Sequence, residues 1–129
     1  MNTPVSGTPR LILQLEGATL LLSATVGYGV LDASWWTFAL LLLTPDLSIL
    51  GYLAGPRIGA ALYNAVHAYF GPAALGLAGL FGATTNVWPL CLIWLAHIGM
   101  DRALGLGLKF GDAFQNTHLG VVGKRVTTQ

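Results

Sequence analysis

The chain has 129 residues, a length for one domain, and its six basic and five acidic side chains leave a formal net charge of +1. Hydrophobic residues make up 54% and charged residues 9%, with a mean hydropathy of +0.67, whereas a soluble surface draws on about a quarter charged residues. These values exclude an ordinary soluble domain and give no basis for nucleic-acid binding; the expectation is an integral membrane protein whose first partner is the lipid bilayer.

Residues 1–9 read as a short polar lead with two prolines. It carries no Lys or Arg, and the apolar stretch that follows contains Glu16 without a clean cleavage site, so no secretory signal is expected. Residues 11–31 are long enough to cross a hydrocarbon core of about 30 Å, which takes roughly 20 helical residues. Asp32-Ala33-Ser34 reads as a tight turn with Ser34 as N-cap, and Trp35-Trp36 as an interfacial aromatic anchor at the start of a second span, 35–54. Thr44-Pro45-Asp46 interrupts that span, because proline removes one helical hydrogen bond and clashes with the preceding turn. Asp46 then either caps the second half-helix or lends its carboxylate to a site.

Gly51, Gly55 and Gly59 form a close corner, and Pro56 suits the first turn of a third span over 57–82. This span carries Tyr63-Asn64-Ala65-Val66-His67 in its first half and Gly76, Gly79 and Gly82 as a packing face in its second. Asn86 caps a fourth span, 87–108, in which His97 and Asp101 stand four residues apart and so share one helix face. The single cysteine, Cys91, has no intrachain partner. Residues 109–115 form a short, weakly amphipathic C-terminal segment suited to the membrane surface. Thr117-His118-Leu119-Gly120 has turn character, and Lys124-Arg125 adds charge near the end.

The fold class expected is therefore all-α: an integral membrane bundle of four transmembrane helices, the second broken at Pro45. The connections at 32–34 and 83–86 contain no Lys or Arg, which places both termini in the cytoplasm. At about 1.5 Å per residue, Glu16, Asp46, Asn64, His67, His97 and Asp101 then all fall in the cytoplasmic half of the membrane. Ionisable groups inside hydrocarbon are expensive and usually functional. We expect His67, His97, Asp101 and Asp46 to line one polar cavity, with His118 near its entrance. Imidazoles and carboxylates in this ratio suit a divalent metal, zinc first.

Five ordered blocks, Pro45-Asp46-Leu47-Ser48-Ile49-Leu50-Gly51-Tyr52, Gly55-Pro56-Arg57-Ile58-Gly59, Tyr63-Asn64-Ala65-Val66-His67, His97-Ile98-Gly99-Met100-Asp101-Arg102 and Thr117-His118-Leu119-Gly120, resemble the small bacterial integral-membrane family known as domain of unknown function 4260. The resemblance runs from Leu11 to Gly120. It implies a bacterial inner-membrane location and no established reaction. The blocks are more weakly similar to membrane-bound metal-dependent hydrolases, a likeness that implies Asp46, His67, His97, Asp101 and His118 as metal or catalytic groups.

The function expected is hydrolysis of an amphiphilic or lipid-like substrate from the cytoplasmic side. Asp46 or Glu16 would help deprotonate a water; His67, His97, Asp101 and His118 would hold the metal; Arg57, Arg102 and Asn64 would bind the substrate. Two other classes fit the same residues. One is an ion- or small-ligand-binding carrier that works as a homo-oligomer, suggested by the broken second span. The other is a structural or accessory membrane protein.

Overall fold

In the computed structural model, residues 2–82 and 86–123 are described. They form α1 (Gly7–Val30), α2 (Trp35–Leu41), a 3₁₀ helix (Thr44–Ala54), α3 (Pro56–His67), α4 (Phe70–Phe81) and α5 (Val87–Ala103). A small hairpin follows, β1 (Asn116–Thr117) paired antiparallel with β2 (Gly120–Val121). The chain is thus mainly helical, and among the described residues two helical stretches, Gly7–Val30 and Trp35–Ala54, are long and apolar enough to cross a membrane. Their outward faces are apolar, with Leu22, Val26, Trp36, Leu40 and Leu53 exposed. The connection at 83–85 and the pair Lys124-Arg125, on which part of the charge asymmetry rests, lie outside the described residues.

The long contact of the fold is α1 against α5. At its centre the two backbones touch: a Cβ placed on Gly99 would stand 2.7 Å from both Gly17 O and Leu21 N. No side chain fits there, so glycine at this crossing lets α5 lie directly on α1. Gln14 adds a hydrogen bond from Nε2 to Ala103 O (3.2 Å). At the other end of α1, Tyr28 is fully buried in an aromatic cluster with Trp35 and Phe38. Its hydroxyl donates to Ser34 O (2.6 Å), and Ser34, though it stands at the N-cap of α2, makes no capping bond with its own side chain.

Two prolines set the breaks. Proline cannot donate to the carbonyl four residues back, and its ring collides with that carbonyl. For Pro45 that residue is Leu41, where α2 ends, and the Thr44 hydroxyl donates to the freed Leu41 carbonyl (2.7 Å). The residues after this break wind as a 3₁₀ helix instead of resuming an α-helix. For Pro72 the residue four back is Ala68, which is extended (φ −98°, ψ 154°). The continuous helix expected over 57–82 is therefore two helices, α3 and α4, and His67 is the last residue of the first.

The expected last span is also shorter. α5 ends at Ala103, because Gly105 takes a left-handed conformation (φ +79°) and closes the helix: Gly105 N–H donates to Arg102 O (3.0 Å) and Leu106 N–H to Asp101 O (2.7 Å). This double closure is the Schellman ending that glycine favours. The amphipathic segment expected over 109–115 is not helical. The chain there runs through turns into the hairpin, bridged at Lys109 and Thr117, and folds back on α3.

Candidate metal centre

Three elements bring four donors together. The 3₁₀ helix carries Asp46 in its first turn, directly after the Pro45 break; α3 ends on His67; α5 contributes His97 and, one turn later, Asp101. One ligand atom from each lies within 4.8 Å of all the others. His67 Nε2 and His97 Nε2 are 3.0 Å apart. Asp46 Oδ1 is 3.3 Å from the first and 3.4 Å from the second, and Asp101 Oδ2 is 3.5 and 3.4 Å from them. Four donors about 2.0–2.1 Å from one Zn²⁺ at the corners of a tetrahedron stand about 3.3 Å from one another; the five separations that involve a histidine, 3.0–3.5 Å, are close to that edge, and the two carboxylates lie within 4.8 Å of each other.

The surroundings fix which atoms face inward. His67 Nδ1 donates to Tyr63 O (2.8 Å), which leaves the Nε2 lone pair pointing at the cluster. Tyr63, one turn earlier on α3, stacks on the His67 ring (centroids 3.7 Å apart, 8° between planes) and donates its hydroxyl to Asp101 Oδ2 (3.2 Å). Such partners orient metal ligands. Lone pairs converging on one buried point repel one another unless a cation or a proton lies among them. His67, His97 and Asp101 are buried, while the Asp46 side chain is 38% exposed, so the cluster opens on the Asp46 side. His97 Nδ1 is buried on the opposite side of the ring from the cluster, facing the Leu42 backbone.

The carbonyls freed at the end of α3 are taken up by α5. Trp94 Nε1 donates to Val66 O (2.7 Å) and Arg102 Nη2 to His67 O (3.1 Å). A helix end buried without partners is costly; here two side chains satisfy it and hold His67 in place. Beside the cluster runs an apolar groove of ≈ 360 Å³ lined by Leu41, Pro45, Val66, Leu90 and Trp94 among others. Its lining includes Pro45 and Val66, the chain neighbours of Asp46 and His67, and none of the four clustered residues.

A family model described as a domain of unknown function (DUF4260) matches residues 10–122. The chain belongs to the DUF4260 family. No curated protein and no solved structure matches it. In this DUF4260 chain the matched region takes in all four cluster residues and the tail that packs on α3.

The remaining residues singled out in the sequence lie elsewhere. Asn64 faces the tail: its Nδ2 donates to Lys109 O (2.8 Å) and its Oδ1 accepts from Lys109 N–H (2.7 Å), so its amide is used on backbone. Arg102 is buried and spans to the His67 carbonyl. Arg57 is exposed beside Gly111 and Asp112, away from the cluster. Glu16 is exposed on α1 and lines a separate hollow with Arg102 and His118. His118 is not in the four-residue group; its Nδ1 accepts from Leu108 N–H (2.8 Å). Burial, with the positive charge of Arg102 added, pushes its pKa below the ordinary histidine value, so it is neutral.

Two residues at the centre were not singled out as site residues from sequence. Tyr63 precedes His67 by four residues, the same spacing that pairs His97 with Asp101, and that signal was there to be used. Lys109 reaches the centre only through the folded-back tail. It is 6% exposed, its ammonium lies 5.0 Å from the centre of the Tyr63 ring and 4.1 Å from that of Phe114. Burial lowers its pKa, and the carboxylates of Asp101 and Asp46 pull it back up.

Proposed function

We propose that this chain is a membrane-embedded, metal-dependent hydrolase acting on an amphiphilic, lipid-like substrate from the cytoplasmic side, with zinc as the metal. The observation that carries the reading is the convergence of His67, His97 and Asp101, with Asp46 beside them, so that one donor atom from each lies within 4.8 Å of the others. In the membrane arrangement proposed here, α1, α2 with the 3₁₀ helix, α3 with α4, and α5 make four crossings, and both termini are cytoplasmic.

A divalent cation held by these residues supplies Lewis acidity and makes a water easier to deprotonate. The chain's own residues do the rest. His67, His97 and Asp101, buried and oriented by Tyr63, hold the ion, while Asp46, on the accessible side, takes a proton from the attacking water. The water oxygen bonds to the carbon or phosphorus of the substrate as the bond to the leaving oxygen or nitrogen breaks, and Asp46 passes the proton to that leaving atom. The apolar groove beside Pro45 and Val66 accommodates a hydrocarbon tail. Glu16 lines a separate hollow with Arg102 and His118 and is not among the four clustered donors.

The experiment is hydrolysis of a panel of phosphate and carboxylate esters with long and short acyl chains by zinc-loaded protein in detergent, beside His97→Ala and Asp101→Asn. Activity in the wild type that falls at least 100-fold in both variants supports the reading; equal turnover in all three overturns it. The two helix breaks adjoining Asp46 and His67 also favour a second reading, an ion-binding carrier working as a homo-oligomer. Zinc or proton flux into vesicles without ester hydrolysis would select it.

A further inference from the structure

We infer that Lys109 and the metal centre together form a binding site for a phosphoryl group, held between the ammonium and the ion. The inference rests on the metal-centre reading above and adds the class of ligand. Lys109 is nine-tenths buried, yet among the described residues its ammonium makes no hydrogen bond and no ion pair. Among the described residues its direct contacts are the faces of Tyr63 and Phe114, with the carboxylates of Asp101 and Asp46 attracting it from beyond ion-pair distance. Ring faces attract a cation but do not replace the oxygen acceptors an ammonium normally gathers.

The position is built, not incidental. Both backbone groups of Lys109 are held by Asn64, and the residue is bridged to Thr117. Phe114 is itself packed edge-on against Tyr52 of the 3₁₀ helix (5.2 Å). Tyr63 touches both parties: it lies under the ammonium, stacks on His67 and bonds to Asp101.

Charge selects the ligand. Without a metal, the two carboxylates of Asp46 and Asp101 are offset by two cations: Lys109, which both attract, and Arg102, the chain neighbour of Asp101 that bonds to the His67 carbonyl. A divalent ion then leaves two positive charges without partners in a buried place, where unpaired charge is unfavourable. A dianionic phosphoryl group cancels both. A carboxylate cancels one, and a neutral ester none. Phosphate oxygens also accept several hydrogen bonds, which the ammonium lacks.

The test titrates full-length protein in detergent, zinc-loaded and freed of excess zinc, with inorganic phosphate and separately with a short-chain phosphatidate, using calorimetry. Zinc content is measured on the same samples. Phosphate should bind the zinc-loaded wild type and at least tenfold more weakly to metal-free protein. Lys109→Met should weaken it at least tenfold with zinc content unchanged, and Lys109→Arg should stay within about threefold of wild type. Tighter binding of phosphatidate than of phosphate identifies a lipid headgroup as the source, and equal binding a soluble phosphate; either supports the site. Equal phosphate affinity in wild type and Lys109→Met, with both holding zinc, overturns this inference and leaves the metal centre standing. A wild type that holds no zinc overturns both.

Discussion

Replacing Asn64 with alanine should open the tail over the metal centre without unfolding the bundle. The side chain makes two hydrogen bonds to the backbone of Lys109, at 2.8 and 2.7 Å, and no other described contact duplicates them. Leaving a buried N–H and a buried C=O unpaired costs about 1–3 kcal/mol each. The site is only partly buried, so water relieves some of this. The net loss is then about 2–3 kcal/mol, or about 30- to 150-fold in the equilibrium for local opening. Trypsin reads that equilibrium directly, since cleavage after Lys109 requires the tail to leave and tracks the open population when reclosing is fast. The fragment ending at Lys109 should appear about 30 to 150 times faster from Asn64→Ala than from wild type, while the far-ultraviolet circular dichroism of the intact protein stays the same. A rate within twofold of wild type would refute the role given to Asn64.

The close crossing of α1 and α5 predicts that Gly99→Val, whose Cβ would meet Gly17 O and Leu21 N, lowers the unfolding temperature in detergent by roughly 5–15 °C; an unchanged midpoint would contradict the crossing. His118 carries a pH dependence of known sign. Its folded pKa lies below the unfolded value of 6.5, so the neutral ring contributes stability that is full above pH 6.5 and lost as pH falls through the folded value. Protonation also ends acceptance of the Leu108 N–H. Tryptic cleavage after Lys109, corrected for the enzyme's own pH profile, should therefore rise between pH 7 and pH 5, and His118→Asn, which keeps an acceptor and removes the titration, should flatten that rise.

The helical, apolar character of the chain was legible because it depends on composition and period, which are local. So were the break at Pro45 and the shared face of His97 and Asp101. The break at Ala68 was equally legible from Pro72, since the ring acts four residues upstream, but the apolar run of 57–82 masked it. Gly105 likewise marked the end of α5 at Ala103, where hydropathy alone carried the helix to Leu108. That His67 meets His97 followed from the need to satisfy both inside an apolar molecule. The tail was different. His118 looked like a metal ligand because histidines are few here, yet its neighbour is the Leu108 backbone. Asn64 and Lys109 found each other across 45 residues, through a turn that no local period announces.

The account depends most directly on whether His67, His97 and Asp101, with Asp46 beside them, hold one metal ion. Protein purified without chelator, exposed to zinc and desalted, should be analysed by elemental analysis and by X-ray absorption at the zinc edge. The prediction is about one zinc per chain, with a first shell of nitrogen and oxygen only, at about 2.0–2.1 Å, and less than about a tenth of that zinc in His97→Ala. A folded wild type that retains no zinc, or a His97→Ala variant that retains as much as wild type, would contradict it.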